Sequence, residues 1–259
     1  MGETTDYLVL TLAAPMASFG AVAVGERRPS WNRPSKSQVL GLVAGALGIE
    51  RTEESRQLAL ASSLGFAVRI DEPGTLAVDY HTTQVPPARR NRRFSTRADE
   101  LAVGNTDLKT ILSRREFRTG ALNTVALWRT AEGAPPILDI EFALRTPIFV
   151  PFAGRKSHPL MLPMRPGIVA ATSILAAFDA YDRSEPPAVS DLKAQRHMAW
   201  GRSAQREIYV DADAVPRSDV DRLEERRDMP ESRTKWRFGL RTEALLKAPS
   251  QDGSKGGTP

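Results

Sequence analysis

Cysteine is absent from the 259-residue chain, which excludes disulfides and thiolate metal sites and fits a reducing cytoplasm. Histidine is scarce, and its three positions, His81, His158 and His197, lie far apart with none in a ligand-spaced motif, so metal catalysis has little support. A Walker A sequence, a Rossmann glycine fingerprint and a nucleophile elbow are all missing. No apolar run approaches the roughly 20 residues of a membrane span. The N-terminus MGETTDYLVL has no basic region followed by a signal-type apolar core. The chain reads as soluble and cytoplasmic, without a membrane partner and without a cofactor.

With 41% hydrophobic content the chain can bury at least one full core, as one large domain or two smaller ones. The net charge of +5 is modest, but the arginines are clustered, and clustering is what a polyanion feels.

Residues 31–48, WNRPSKSQVLGLVAGALG, read as a loop running into a buried helix. Ser35 fits an N-cap and Gln38 the reciprocal position of a capping box, with Gly48 placed to end the helix. Val39, Leu40, Leu42, Val43, Ala46 and Leu47 make an apolar helical face. Gly41 and Gly45 weaken the helix unless close packing against a sheet compensates. Ser35, Lys36, Ser37 and the first-turn N–H groups converge where an anion is favoured, with Arg27, Arg28 and Arg33 just upstream. An ordinary capped helix beside solvated basic residues accounts for the same pattern, and both readings stand at this point.

Residues 7–12 read as a central strand, apolar on both faces, and a loop joins them to the helix. Residues 53–63 predict a second helix, and 66–70 and 75–80 strands around the turn DEPG, giving a sheet with helices on one face. Past His81 no hydrophobic period is visible until about Ala121. This excursion carries Arg89, Arg90, Arg92, Arg93 and Phe94, suited to phosphates and a stacked base, or else a flexible solvated loop. Further on, 123–128 and 148–152 read as strands, 137–144 as a short helix started by Pro136 or else a strand, with the helix preferred, 174–180 as a helix, and 208–210 and 236–240 as strands flanking a charged stretch at 219–229. Gly154, Arg155, Lys156, Ser157 and His158 fall in one turn of phosphate-binding residue types, where the glycine lets a backbone approach a ligand. One acid–base option remains: His81 with Tyr80, or with His158, for metal-free RNA cleavage. Against it, neighbours on a strand point to opposite faces.

The segments YLVLTLAAPMASFG, RPSKSQVLGLVAGALGI, DYHT, TVALW and ALRTPIFVPFAGRKSHPL, in this order from Tyr7 to Leu160, resemble the CasD (Cas-five) family of type I-E CRISPR surveillance complexes, Cascade. The resemblance implies an α+β fold: a ferredoxin-like, RRM-type domain over residues 1–160 with a long arginine-rich β-hairpin thumb at about 82–120. A C-terminal β-containing extension would cover 161–246, with a disordered tail at 247–259. It also implies a non-catalytic subunit that binds the 5′ handle of the guide crRNA and caps a backbone of repeated subunits in antiviral defence. Its partners would be that crRNA, the backbone and large subunits of Cascade, and target DNA indirectly through the complex. The resemblance carries over to residues 34–37, to Tyr80 and His81, and to residues 154–158 as handle-contacting positions. Arg89 to Arg93 are assigned by charge. The RNP1 pattern of free-standing RRM domains is not visible, so recognition by phosphate contacts, splayed bases and shape is expected. Relatives in another CRISPR subtype cut precursor RNA, which keeps a metal-independent endoribonuclease using His81 as the alternative. A protein-interaction module with incidental basic charge is the third reading.

Overall fold

The computed structural model describes residues 4–87, 94–104, 107–184 and 206–247. Strand β1 (Thr5–Ala17) is buried over most of its length, as its two apolar faces require. A loop containing the two-residue strand β2 (Arg27–Arg28) leads to helix α1 (Lys36–Ala46). Ser35 Oγ caps this helix by accepting from Gln38 N at 3.2 Å. Gly48, at φ 69°, closes it: Gly48 N donates to Gly45 O at 3.2 Å and Ile49 N to Ala44 O at 2.8 Å. Gln38 does not complete a capping box, because its Nε2 donates instead to Ser18 O at 3.3 Å. Nor do Gly41 and Gly45 face the sheet. Gly41 leaves room for the Arg233 guanidinium and Gly45 for Phe149, while Val39, Leu40 and Val43 meet the strands.

The chain continues through α2 (Glu54–Ser63), β3 (Leu64–Glu72), β4 (Thr75–Val85), α3 (Arg97–Leu101) and β5 (Lys109–Arg129). Then come α4 (Ile137–Arg145), β6 (Gly167–Ala171), α5 (Ile174–Arg183), β7 (Ile208–Asp211), β8 (Val220–Ser232) and β9 (Arg237–Leu246). Among the described residues the strands form one sheet in the order β6-β1-β5-β3-β7-β9-β8, with β2 and β4 also paired to β5. Every pairing is antiparallel except that of β2 with β5, so the fold is α+β, a mostly antiparallel sheet with a few helices. Helices α1, α2 and α4 cover one face over Leu8, Leu10, Phe66, Val125 and Leu127. Helix α5 covers the other over Tyr7, Val9, Trp128 and Val210, so the expectation of helices on one face only is corrected.

Two segments differ in kind from their sequence reading. Residues 148–152 form no strand: Ile148 N and Phe149 N each donate at 3.1 Å to the last carbonyls of α1, Ala46 O and Gly45 O. Pro147 and Pro151 leave that segment without two ladder donors. The charged stretch 219–229 is the body of β8, because its inward-facing charges are paired below the surface rather than solvated.

Strand β5 has two characters. Its C-terminal half is buried between β1 and β3, and its N-terminal half leaves the core paired with β4, from Thr75↔Thr119 to Val85↔Lys109. The hairpin thus begins well before residue 82. No hydrophobic period marks it in the sequence because neither of its faces enters the core.

Candidate nucleic-acid interface

Directly opposed residues of an antiparallel pair share a face. On one face of the hairpin lie Val78, Tyr80, Arg114 and Glu116, with Leu76 and Arg118 nearest its base; on the other lie Asp79, His81, Ser113, Arg115 and Phe117. Strand β2 runs parallel along the opposite edge of β5, setting Arg27 beside Arg114 and Arg28 beside Arg115. The turn 153–158 packs on the second face, where the His158 and Phe117 rings are 5.8 Å apart and Arg155 Nη2 donates to Glu116 O at 3.1 Å. Three separate segments therefore bring Arg27, Arg28, Arg114, Arg115, Arg155 and the exposed Lys156 to the base of one hairpin.

Carboxylates do not balance this ridge. Glu116 accepts from Arg27 at 3.3 Å and from Ser30 N at 3.2 Å, and Asp79 lies 3.4 Å from His81 Nε2. Arg28 donates to the carbonyls of Gly25 and Arg27, and Arg115 to Ser113 Oγ. Among the described residues no ion pair reaches Arg28, Arg114, Arg115, Arg155 or Lys156. Burial, and then the Arg115 charge, push the Arg155 pKa below its ordinary value, with Asp79 opposing. The pKa of His158, itself buried, is lowered first by that burial and then by Arg155. Crowded like charges of this kind are relieved by an anion, and guanidinium groups suit phosphate oxygens.

The start of α1 is not part of this ridge, contrary to expectation. Ser35 is buried, and its hydroxyl serves the cap and Ser37 Oγ at 3.1 Å. Lys36 is 6% exposed and its Nζ pairs with Asp211 at 2.8 Å. The anion at the helix N-terminus is the protein's own Asp228, whose Oδ2 accepts from Lys36 N at 2.8 Å. Around these groups Arg33, Arg226 and Arg241 interleave with Asp211, Asp228, Glu224 and Glu243 in a buried network. Lys36 and these three arginines are thus each paired with carboxylates inside the protein, so the start of the helix offers no free cation to a ligand. Gly154 likewise serves packing: at φ 88°, a Cβ there would lie 1.9 Å from Ser18 O.

Tyr80 is exposed and His81 faces away from it, so the two do not converge as an acid–base pair. His81 and His158 do share the face that carries Arg115 and Arg155. Arg89, Arg90, Arg92 and Arg93 lie outside the described residues, and Phe94 is partly buried. The sequence reading passed over Arg114, Arg115 and Arg118. Their signal was the run SRREFR at 113–118, which alternates on a strand to supply arginine to both faces. Among the described residues no group of three His, Asp or Glu side chains is arranged to hold a metal ion, and no helix is long and apolar enough to cross a membrane.

Comparison with known proteins bears on what this ridge serves. A model of the family described as CRISPR-associated protein (Cas_Cas5) matches residues 7–243. The CRISPR system Cascade subunit CasD of Escherichia coli (strain K12) is 35% identical over 185 residues, covering 68% of this chain and 77% of that protein. A chain of a solved CRISPR RNA-guided surveillance complex is 21% identical, with a TM-score of 0.57 over 93% of this chain and 90% of that one. A crystal structure described as a Cas protein gives 24% identity and a TM-score of 0.53 over 93% and 94% of the two chains. At these identities the solved structures attest to the fold.

Proposed function

The chain belongs to the CasD (Cas5) family of type I-E CRISPR systems, and from that premise we propose that it is a crRNA-associated subunit of Cascade. In this reading it is not an enzyme: it binds the 5′ handle of the guide crRNA and caps the backbone of repeated subunits, next to the large subunit. Its core is ferredoxin-like, which the strand order β6-β1-β5-β3 with α1 and α4 on one face supports. The β4–β5 hairpin is its thumb. The observation that carries the proposal is the convergence of unpaired arginines from β2, β5 and the turn 153–158 on the base of that hairpin.

Such a ridge follows a phosphate backbone without reading its bases. Affinity for single-stranded RNA then falls with salt, with a log–log slope of about −0.7 per phosphate neutralised. The test is to incubate the purified protein with its own CRISPR repeat RNA in EDTA, and to resolve the mixture on native and denaturing gels at rising salt. Intact RNA, bound at low salt and released at high salt, is the expected result.

The endoribonuclease reading keeps one observation in its favour: Asp79 and His81 lie 3.4 Å apart on the face that also carries Arg115 and Arg155. It requires a specific cut in EDTA that is lost in His81→Ala.

A further inference from the structure

Exposed apolar side chains gather on the face of the sheet that α1, α2 and α4 cover. Leu138 and Phe142 stand one turn apart on α4 and share its outer side. Thr146 N folds back onto the Phe142 carbonyl at 3.1 Å, which brings the segment after α4 beside Phe142. That segment is tied to the end of α1 through Ile148 N and Phe149 N, and Phe149 lies 3.9 Å from where a Cβ on Gly45 would be. Leu138, Phe142, Ile148, Phe149 and Val150 are 48% to 82% exposed. Single exposed apolar residues are ordinary, but a contiguous group of this size marks an interaction surface.

The patch has a cationic end. Gly41 precedes Gly45 by one turn on the same side of α1, and the Arg233 guanidinium lies 3.0 Å from the position of a Cβ on Gly41. Arg233 comes from the turn between β8 and β9 together with the exposed Trp236, whose ring centroid has the Cζ atoms of Arg51 and Arg233 at 4.9 and 5.1 Å. Arg51 fixes that turn by donating to the carbonyls of Arg233 and Thr234 at 2.8 and 3.3 Å. Among the described residues no ion pair reaches Arg51 or Arg233, and Arg233 Nε is buried without a hydrogen-bond partner. The carboxylates around the turn are engaged elsewhere: Glu53 with Arg56, Glu54 with Thr234 and Glu231 with Arg237. Burial, and then the like charge of Arg51, push the Arg233 pKa below its ordinary value.

We propose that this face docks an amphipathic helix of another protein subunit, with its apolar side chains on Phe142, Ile148, Phe149 and Val150 and its carboxylates at Arg233 and Arg51. The face offers side chains and no open sheet edge, so it suits a partner that satisfies its own backbone, as a helix does. A nucleic acid strand has no apolar face to match the patch, and a purely apolar partner leaves two guanidiniums uncompensated. The ridge lies elsewhere: the turn 153–158 meets α1 at Gln38, about 10 Å along the helix from Gly45. The inference rests on the reading of the chain as a Cascade subunit, and it adds the chemistry of one protein contact.

The test places the photo-cross-linker p-benzoylphenylalanine at position 150 of the full-length chain, co-expressed with the other subunits and the crRNA of its own complex. The expected adduct is to one protein subunit, in a helical segment with apolar residues three and four apart and Asp or Glu beside them. Phe142→Glu/Val150→Glu and, separately, Arg233→Glu should each lower retention of that subunit by about tenfold or more, the scale of interface anchors, with crRNA still bound. Urea unfolding first verifies that each variant is folded. Full retention of every subunit by both variants overturns the docking face, as does an adduct confined to RNA, to a second copy or to the chain itself. An adduct on a segment without Asp or Glu, or a loss confined to the apolar variant, overturns the acidic partner. These results leave the Cascade reading standing, whereas a wild-type chain that retains neither crRNA nor any subunit sinks that reading and the docking face with it.

Discussion

Replacing Arg226 by Met should be nearly neutral for stability, whereas the same change at Arg241, one strand away, should be severe. The Arg226 and Arg241 side chains are 2% and 8% exposed, so burial alone does not separate them. Arg241 makes three ion pairs at 2.9 Å, with Asp211, Asp228 and Glu243. These outweigh the effect of burial and hold its pKa above the ordinary value. Arg226 reaches Asp228 and Glu243 only at 3.9 and 3.7 Å, and its hydrogen bonds go to Arg33 O and Pro34 O at 3.1 and 3.4 Å. Burial pushes its pKa down to about 10, and the nearby carboxylates recover only part of that. At about 1.4 kcal/mol per pH unit this depression corresponds to ~3 kcal/mol of unfavourable environment. Removing Arg226 relieves that term, leaves Asp228 and Glu243 paired with Arg241 and Arg33, and gives up two hydrogen bonds worth about 1 kcal/mol each. The sum lies within roughly 1–2 kcal/mol of zero. Removing Arg241 takes from Asp228 its nearest partner and from Asp211 and Glu243 one of two close cations, and breaking buried pairs in this way costs about 3–5 kcal/mol. Urea unfolding of wild type and both variants, with slopes compared, measures the difference. A gap of about 2 kcal/mol or more is expected. Equal losses, or a larger loss for Arg226→Met, refute the reasoning.

Gly154→Ala forces a Cβ toward Ser18 O at a positive φ, so it should destabilise the protein by about 1–3 kcal/mol in the same assay. His158 titrates below the ordinary histidine value when folded, so the unfolded chain takes up its proton first. Its stabilisation should be complete above pH ~6.5 and lost as the pH falls through the folded value, and the gap between wild type and His158→Asn in unfolding free energy should shrink over that interval. Lys36→Met should lower the unfolding midpoint by removing one of the two cations paired with the buried Asp211, and leave the salt dependence of RNA binding unchanged in the folded protein, because the Lys36 charge is neutralised internally.

The helices and central strands were legible in the sequence wherever one face enters the core. Residues 7–12, 35–48 and 123–128 carry apolar patterns that the two core clusters explain. Beyond residue 80 the hairpin was not legible as strand, because neither the end of Thr75–Val85 nor the first half of Lys109–Arg129 buries a continuous face. Strand β8 hid for the opposite reason. Its buried positions are charged, so no apolar alternation marks it, and Arg226 and Asp228 find their partners only when β9 and Arg33 arrive. The same gap shaped the site reading. Basic residues at a helix start look alike whether they face solvent or an internal carboxylate, and only the fold brings Asp228 and Asp211 to Ser35 and Lys36. Arg155, Lys156 and Arg28 did fall on the ridge, and Arg114 and Arg115 joined them through pairing of β2 with β5.

The ridge itself is tested most directly by measuring single-stranded RNA affinity across a salt series for wild type and for Arg114→Ala/Arg115→Ala/Arg155→Ala. The wild-type affinity should fall steeply with salt, and the triple variant should bind more weakly with a slope shallower by about 2, since each lost phosphate contact removes about 0.7. An unchanged slope and affinity in a folded triple variant would contradict the assignment and move the RNA elsewhere on the protein.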